Sequence, residues 1–432
     1  MIETVKVIGA GLAGVEAAWQ CANAGLKVEL YEMKPKKYSP AHKMPTFAEL
    51  VCSNSLKAKR VESAAGLLKE EMRAFGSLCV ECAYETEVAA GGALAVDRDE
   101  FSKLVTEKIL SHKNITVINE EVTEIPDGNV IIAAGPLASD ALSERIAALC
   151  GNGLHFFDAA APIVTAESID KESSFAASRY DRGGDDDYIN CPMNKEEYET
   201  FYEALINAES ADLHSFDKRK DVYEGCMPIE VMASRGADTM RFGPLKPVGL
   251  RDPRTGHRPW AVLQLRKENN SGTMYNLVGF QTNLKFGEQK RVFSLIPALK
   301  NAEFVRYGVM HRNTFIDSPR LLNGDFSLRG RENLFFAGQI TGVEGYMESA
   351  ASGIMAGYNM VRRLKGEETL VLPETTMIGA LSRYISDESV ENFQPMGANF
   401  GVLPPIEPKI RDKKERYAAL SERALKALKE SV

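Results

Sequence analysis

Residues 4–14 of this chain read TVKVIGAGLAG, and this stretch predicts the fold of the first part of the protein. Thr4–Ile8 is short, apolar and rich in β-branched residues, which is typical of a buried parallel strand. The glycine-rich turn Gly9–Gly14 follows directly, and the small residues after it predict a helix. Lys27–Tyr31 predicts a second strand, which ends at Glu32. This succession of strand, G-x-G-x-x-G turn, helix, strand and acidic residue is the fingerprint of a dinucleotide-binding βαβ unit.

Each glycine of the turn has a physical task. Gly9 permits the tight turn, Gly11 lets a pyrophosphate approach the backbone because it has no side chain, and Gly14 allows close packing of helix and strand. The pyrophosphate would meet free N–H groups and the positive end of the helix dipole. Glu32 would accept hydrogen bonds from ribose hydroxyls. The predicted cofactor-binding residues of this unit are Gly9, Ala10, Gly11, Leu12, Ala13, Gly14 and Glu32.

A second signal of the same kind lies late in the chain. Asn333–Ile340 predicts a buried strand that ends at Gly338, and a helix of small residues follows from about Met347. The fingerprint alone does not separate FAD from NAD, and a glycine-rich turn also occurs in α/β domains without a nucleotide. A late strand–Gly–helix unit favours FAD, because the new helix would begin beside the pyrophosphate and the ring. Gly338 and Gln339 are therefore predicted to bind the cofactor as well.

The composition bounds the class of protein. The 432 residues suffice for two or three domains, and 44% hydrophobic with 26% charged residues is ordinary for a soluble globular protein. The first strand begins so close to Met1 that we expect no signal peptide, and no uncharged apolar run is long enough to span a membrane. We therefore expect a cytoplasmic protein without membrane contact. The net charge of −8 argues against non-specific nucleic-acid binding but allows a local basic face.

The seven cysteines are scattered, and their odd number favours reduced thiols over a disulfide framework. Cys52 lies close to Lys57 and is either a reactive thiol or a small buried residue. The C-x-x-C of Cys79–Cys82 falls in a segment predicted to be loop-like, and it is a redox pair, half of a zinc site or a structural pair. No second pair of matching ligands exists, so no metal site is predicted. Cys226 precedes the Met227–Pro228 turn, where a loop would present it.

The pattern changes between about residues 150 and 330, where short helices and strands mix with long polar loops. We expect an α/β protein with a Rossmann-like FAD-binding domain of the two-domain flavoprotein type and an inserted α+β substrate domain. The predicted division is 1–150, 151–330 for the insertion, and 331–432 for the second part and a helical tail. Local basic clusters would form a phosphate-binding surface if several share one side. They include Arg251, Arg254 and Arg258, and Lys285, Lys290 and Arg291.

Five motifs together resemble the bacterial folate- and FAD-dependent tRNA (uracil-5-)-methyltransferases. They are GAGLAGVEAA at 9–18, VCSNS at 51–55, GCMP at 225–228, RFGPLKPVGL at 241–250 and FAGQITGVEGY at 336–346. The resemblance covers essentially the full length, and the two cysteine motifs are specific to this family. The last motif is shared with a related enzyme that modifies wobble uridines in tRNA. That relative is longer and has extra carboxyl-terminal helices, which we do not expect in this protein.

The resemblance implies transfer of a one-carbon unit from methylenetetrahydrofolate to carbon 5 of a T-loop uridine, with FAD as cofactor and NADH or NADPH as reductant. It implies that Cys226 is the nucleophile, which adds to carbon 6 of the uracil, and that Cys52 is a second functional thiol. The expected partners are tRNA, whose target base would have to flip outward, and folate; no metal or membrane is expected. Three other functions stay open: a wobble-uridine modification protein, a flavin disulfide reductase using Cys79 and Cys82, and a non-catalytic FAD- or RNA-binding protein.

Overall fold

The computed structural model describes residues 3–150, 154–159, 161–181, 187–211, 227–268, 272–308, 310–390 and 393–432. For residues 154–159, 181 and 310–313 it describes the backbone alone. In this part of the chain, no helix is both long and apolar enough to cross a membrane.

The strands and helices alternate in the first part of the chain and mix irregularly in the middle. In chain order the strands are β1 (Thr4–Ile8), β2 (Lys27–Tyr31), β3 (Ser55–Ala58), β4 (Glu87–Val88), β5 (Ala93–Val96), β6 (Ile115–Ile118), β7 (Asn129–Ile132), β8 (Leu154–Ala159), β9 (Ile163–Thr165), β10 (Phe175–Ala176), β11 (Tyr188–Met193), β12 (Ala261–Lys267), β13 (Met274–Leu277), β14 (Phe304–Arg306), β15 (Met310–Phe315), β16 (Ser327–Leu328) and β17 (Arg331–Phe336). The α-helices are α1 (Leu12–Asn23), α2 (Ala64–Ala74), α3 (Leu78–Glu85), α4 (Arg98–Ser111), α5 (Asp140–Cys150), α6 (Lys195–Ile206), α7 (Ile229–Ala233), α8 (Thr239–Phe242), α9 (Phe286–Phe293), α10 (Ser318–Leu321), α11 (Tyr346–Leu364), α12 (Met377–Tyr384) and α13 (Lys413–Ser431).

The first sheet has the strand order β16-β17-β7-β1-β2-β6 and is parallel except at β16. Val5 and Val7 of the central strand β1 are fully buried, as expected for a β-branched strand covered on both faces. The chain leaves β1 towards β2 on one side and returns to β7 on the other. Open parallel sheets bind ligands at such a switch point, beyond the carboxyl ends of the strands. The turn Gly9–Gly14 lies at that end of β1.

Helices α1 and α11 pack against each other at very short range on this sheet. A Cβ atom added at Gly353 would lie 2.1 Å from the carbonyl oxygen of Ala13, and one at Gly357 would lie 2.7 Å from that of Ala17. The two backbones approach this closely only because glycine has no side chain. The late part of the chain is therefore held directly against the amino-terminal βαβ unit.

A second sheet, antiparallel throughout, has the order β10-β11-β12-β13-β9-β14. Its apolar side chains form a core drawn from residues 164–302, whereas the core around the parallel sheet draws on residues 5–146 and 315–428. The middle of the chain is thus an insertion with its own core. The predicted fold class, an α/β dinucleotide-binding domain with an inserted α+β domain, is confirmed.

The two parts are connected by an antiparallel ribbon of β8 and β15. Phe315 and Phe326 already belong to the core around the parallel sheet, and β16 pairs with β17. The division into 1–150, 151–330 and 331–432 stays a prediction. We propose that the second boundary lies near Phe315 and not at residue 330.

The C-x-x-C segment is helical, so the prediction of a loop was wrong. Cys79 and Cys82 lie in α3, which begins where the Ser77 side chain accepts a hydrogen bond from the backbone nitrogen of Val80. Both thiols are fully buried. Burial raises the pKa of Cys82 to about 12 and that of Cys79 well above its usual value, which disfavours thiolates. The pair packs as small apolar residues, and this argues against a disulfide reductase.

Candidate active site

The glycine-rich turn has the geometry that a bound pyrophosphate requires. Gly9 adopts φ +100°, and a Cβ atom there would lie 2.6 Å from the carbonyl oxygen of Ala133. At Gly14 a Cβ atom would lie 1.7 Å from the carbonyl oxygen of Gly9, so this position serves packing. At Gly11 it would meet nothing within 4 Å. Gly11 therefore faces open space at the start of α1, where a phosphate can approach the backbone.

The carboxylate of Glu32 is fixed at the end of β2. One oxygen accepts a hydrogen bond from the backbone nitrogen of Ala10 at 2.9 Å, and the other accepts one from that of Lys34 at 2.9 Å. The residue is 7% exposed. Because each carboxylate oxygen keeps a further lone pair, the group can still accept a hydroxyl donor from a ligand.

A cleft, partly open to solvent, runs along the carboxyl ends of the parallel strands. Its wall comes from the glycine-rich turn, the end of β2, the Ala133–Pro136 turn after β7, and the start of α11. The lining includes Gly9, Gly11, Leu12, Ala13, Glu32, Cys52, Gly338, Gln339 and Tyr346. The structure thus brings most of the sequence-predicted site residues, from three distant stretches, into one cleft. The donor set suits a dinucleotide, with an acid at one end and unpaired helix N–H groups in the middle.

The late strand–Gly–helix unit closes the far side of this cleft. Gly338 has φ +87°, and its backbone nitrogen donates to the hydroxyl of Ser352 at 2.7 Å. The side-chain amide of Gln339 donates to the carboxylate of Glu344 at 2.5 Å. Helix α11 begins at Tyr346 after Gly345, without a side-chain cap, so its first N–H groups remain available at the cleft.

Cys52 is held at the cleft by the hydroxyl of Tyr346. That oxygen accepts hydrogen bonds from the backbone nitrogens of Cys52 and Ser53, at 2.7 Å and 3.3 Å, and lies 3.0 Å from the sulfur of Cys52. Burial and the neighbouring thiol raise the pKa of Tyr346 well above its usual value, so the phenol keeps its proton. Because both acceptor positions of the oxygen are used by N–H groups, the proton can point to the sulfur.

The loop that carries Cys52 is also bound to the inserted domain. The guanidinium of Arg266, at the end of β12, donates to Asn54 and to Ser53, each at 3.0 Å. Arg98 forms an ion pair with the buried Glu268 and donates to the carbonyl oxygens of Leu50 and Val51. Burial raises the pKa of Glu268 and lowers that of Arg266, as expected where charges are removed from water. These contacts fix the thiol at the junction of the two domains.

Cys226, the predicted nucleophile, lies outside the described residues, which stop at Ala211 and resume at Met227. The residues on both sides of it are placed. Ala211 donates to the carbonyl oxygen of Asn283 at 2.7 Å, and Ile229 donates to that of Gln281 at 2.7 Å. Both ends of the segment that carries Cys226 are therefore held on residues 281–285, a stretch of the inserted domain that we call the clip.

Tyr346 ends the motif at 336–346, which indicates no role for it, and none of the five motifs contains Arg98, Arg266 or Glu268. The signal for Tyr346 was its position as the first residue of the helix that follows Gly345. The three charged residues carry no local signal, because their partners lie on other elements. Within the described ranges, no group of three or more His, Cys, Asp or Glu side chains is arranged to hold a metal ion.

Comparison with known proteins identifies the family. Residues 4–368 match the model of the family described as glucose inhibited division protein A, GIDA. The chain belongs to this family. It is 62% identical to the methylenetetrahydrofolate–tRNA-(uracil-5-)-methyltransferase TrmFO of Acetivibrio thermocellus, with 100% of this chain and 99% of the relative covered. It is 58% identical to the TrmFO of Lactobacillus gasseri, with 99% and 98% covered. The family resemblance seen in the sequence motifs is confirmed.

A solved structure supports the fold. GidA of Aquifex aeolicus, in its form II crystal, superposes with a TM-score of 0.72 at 17% sequence identity, covering 99% of this chain and 73% of that chain. At this identity the likeness concerns the fold alone. The superposition covers both the dinucleotide-binding domain, which is formed by two parts of the chain, and the insertion.

Proposed function

We propose that this protein transfers a one-carbon unit from methylenetetrahydrofolate to carbon 5 of a T-loop uridine in tRNA, with FAD as bound cofactor and NADH or NADPH as reductant. The names of the relatives, which this chain matches over nearly their whole length, support the substrates and the reaction. Reduced FAD supplies the electrons that convert the transferred carbon into a methyl group. We further propose that the enzyme acts in the cytoplasm.

The observation that carries this proposal is a thiol in the wall of the dinucleotide cleft. Cys52 shares that cleft with the phosphate-binding turn and with Gly338. It is held by Tyr346 on the cofactor side and by the Arg266 contacts on the side of the inserted domain. A fixed thiol in the wall of the cofactor cleft, together with the names of the relatives, favours a catalytic protein over one that only binds a nucleotide.

We assign the binding of FAD to residues of the cleft. The open face of Gly11 and the first N–H groups of α1 suit the pyrophosphate, and the fixed carboxylate of Glu32 suits the ribose. Gly338 and Gln339, at the start of the second helical unit, would line the remaining part of the cofactor.

We assign the activation of the uracil ring to Cys226. Carbon 5 of uracil is a poor nucleophile, and addition of a thiolate to carbon 6 turns the ring into an enolate. Carbon 5 can then form a bond to the one-carbon unit while the bond between that unit and its donor nitrogen breaks and the nitrogen keeps the electron pair. The proton at carbon 5 must then leave, and the bond between carbon 6 and the sulfur must break to restore the ring. We assign Cys52 as the group that accepts this proton.

The clip, residues 281–285, holds the described residues on both sides of the segment that carries Cys226. Ser210 forms a β-bridge with Leu284, just before the segment that carries the thiol. After it, the carboxylate of Glu230 accepts from the hydroxyl of Thr282 at 2.8 Å and from the backbone nitrogen of Asn283 at 2.7 Å. Glu230 is four residues beyond Cys226 in the chain, so the hold of the clip on Glu230 supports the proposal that the inserted domain carries the nucleophile.

The test is the purified full-length protein with unmodified tRNA and labelled methylenetetrahydrofolate. We expect a yellow protein that transfers label to tRNA only when folate and a nicotinamide coenzyme are present. Cys226→Ala and Cys52→Ala should retain flavin and tRNA binding but lose methylation. Cys150→Ala, a half-buried cysteine outside the cleft, is the control and should retain it. Near-normal methylation by Cys226→Ala would remove the nucleophile assignment.

A further inference from the structure

The inserted domain contains a segment whose charge is opposite to that of the whole chain. Residues 235–260, which we call the basic segment, hold six Lys or Arg and two Asp, a net charge of +4 in a protein of net charge −8. Lys246, Arg251 and Arg258 are exposed, and within the described residues none of them forms an ion pair. Such a positively charged surface attracts a polyanion and repels other basic surfaces.

An exposed aromatic ring stands in the same segment. Phe242, the last residue of α8, is 84% exposed, whereas the other large apolar residues of the described ranges do not exceed 60%. Single exposed apolar residues are common, but a Phe ring exposed to this degree offers nearly all of its surface to a ligand. Its neighbour Arg241 is fixed, because its guanidinium carbon lies 3.7 Å above the ring of Trp260 and its Nε donates to the Trp260 carbonyl oxygen at 3.0 Å.

The basic segment is attached to the same part of the domain as the thiol-bearing segment. A Cβ atom at Gly279 would lie 2.5 Å from the Cβ of Pro244, so Pro244 packs directly on the backbone that leads into the clip. Helix α7, which begins three residues after Cys226, contacts α8. A ligand bound at Phe242 therefore lies beside the helix that begins three residues after Cys226 in the chain.

We propose that the basic segment is the surface that holds the RNA substrate, with Phe242 stacking on an unpaired base of the tRNA loop and Lys246, Arg251 and Arg258 contacting its phosphates. This inference rests on the proposed function and adds a recognition surface to it. Proteins recognise RNA loops by stacking splayed bases on aromatic side chains beside cations. Val248 and Trp260 of the same segment are exposed to a smaller degree, 38% and 36%, and cations surround these side chains, so an RNA loop, which offers both bases and phosphates, is the occupant that these observations favour.

The test measures the Kd of FAD-loaded, full-length protein for an unmodified tRNA transcript. We expect Phe242→Ala to weaken binding by roughly 5- to 150-fold, the loss that one base–aromatic stack predicts. Phe242→Trp should bind like the wild type, because any aromatic face can stack. Leu110→Ala, in α4, removes a side chain that is 60% exposed and serves as the control, with unchanged binding expected.

A second measurement addresses the cations. The triple variant Lys246→Ala, Arg251→Ala, Arg258→Ala should reduce the slope of log K against log salt concentration by about 2, since each phosphate contact on a single strand contributes about 0.7. Lys426→Ala, an exposed cation of α13, should leave the slope unchanged. Flavin content and melting temperature of each variant show whether it is folded.

Unchanged tRNA binding by a folded Phe242→Ala variant would overturn the proposal, and so would loss of a protein partner in that variant while tRNA binding stays normal. The outcome is separable from the proposed function. If the wild type bound tRNA through Phe242 but transferred no label, the catalytic proposal would fall and the RNA surface would stand. If the wild type methylated tRNA and Phe242→Ala did so with the same KM, the RNA-surface proposal would fall and the catalytic proposal would stand.

Discussion

The hydroxyl of Tyr346 accepts a hydrogen bond from the backbone nitrogen of Cys52 at 2.7 Å and lies 3.0 Å from the sulfur of the same residue. The two residues are 294 positions apart in the chain, one on the loop before β3 and the other at the start of α11. One hydroxyl therefore fixes both the backbone and the thiol at the wall of the cleft. The relationship makes Tyr346 a positioning residue for Cys52.

Tyr346→Phe should impair the reactivity of Cys52 without unfolding the protein. The ring remains, but the N–H groups of Cys52 and Ser53 lose their acceptor and a thiolate loses its donor. A hydrogen bond to a charged group contributes about 1.5–3 kcal/mol, so alkylation of Cys52 and tRNA methylation should both slow by roughly 10- to 100-fold. Tyr384→Phe, whose hydroxyl donates to Gln394 away from the cleft, is the control. Alkylation at the wild-type rate would show that the hydroxyl does not act on the sulfur.

Gly11→Val should yield a folded protein without flavin. A Cβ atom at Gly11 meets no protein atom within 4 Å, so the substitution does not strain the protein itself. The branched side chain would instead occupy the space in which the pyrophosphate approaches the backbone. The ratio of flavin to protein absorbance measures the loss. Gly287→Val, on an exposed glycine outside the cleft that also has free space around it, should keep its flavin; a yellow Gly11→Val protein would contradict the assignment of the turn.

Glu230→Gln should clearly lower the rate of methyl transfer but have only a small effect on the free energy of unfolding. The carboxylate accepts one hydrogen bond from Thr282 and one from Asn283, whereas the amide retains one acceptor oxygen. The segment carrying Cys226 would then be less firmly held, and we expect kcat to fall about tenfold, the effect of one lost hydrogen bond. The KM for folate should not change. Glu196→Gln, on the exposed face of α6, is the matched control. An unchanged kcat in Glu230→Gln would show that the hydrogen bonds between Glu230 and the clip do not affect catalysis.

Glu16 should make the stability of the protein depend on pH near neutrality. Its buried carboxyl accepts hydrogen bonds from the Ser77 hydroxyl and from the backbone nitrogens of Leu78 and Cys79, at the start of α3. Burial raises its pKa from 4.5 to about 7. The folded state therefore binds this proton more tightly than the unfolded chain, so the stabilisation is complete below pH 4.5 and is lost as the pH rises through 7.

The expected loss is on the order of 3 kcal/mol over this range, since one pKa unit corresponds to about 1.4 kcal/mol. Urea denaturation at pH values from 5 to 8 measures it. Glu16→Gln should flatten the dependence of the free energy of unfolding on pH. A part of the dependence should remain, because Glu71 is also buried and burial raises its pKa to about 7. Glu107→Gln, on the surface of α4, should not alter the curve. An identical pH dependence in Glu16→Gln and the wild type would contradict this assignment.

The glycine-rich side of the cleft, to which we assign the cofactor, could be located from the sequence because its signals are local. The turn Gly9–Gly14 and the acid Glu32 follow from a strand, a helix and the steric demands of a phosphate, all within 32 residues. The unit around Gly338 follows from the same logic. The thiol half could not be placed in this way, because its geometry depends on contacts between elements far apart in the chain.

The amino-acid sequence by itself determined the elements of this protein: the apolar period of its strands, the glycines of its turns and caps such as Asp97 before α4, where the carboxylate accepts from the backbone nitrogens of Asp99 and Glu100. These depend on backbone preferences of neighbouring residues. Only the tertiary structure decided that Cys79 and Cys82 are buried in a helix, that Tyr346 holds Cys52, and that the clip binds both ends of the segment carrying Cys226. Burial and hydrogen bonding of a side chain depend on which elements pack against it, and packing brings together residues that the sequence separates by hundreds of positions.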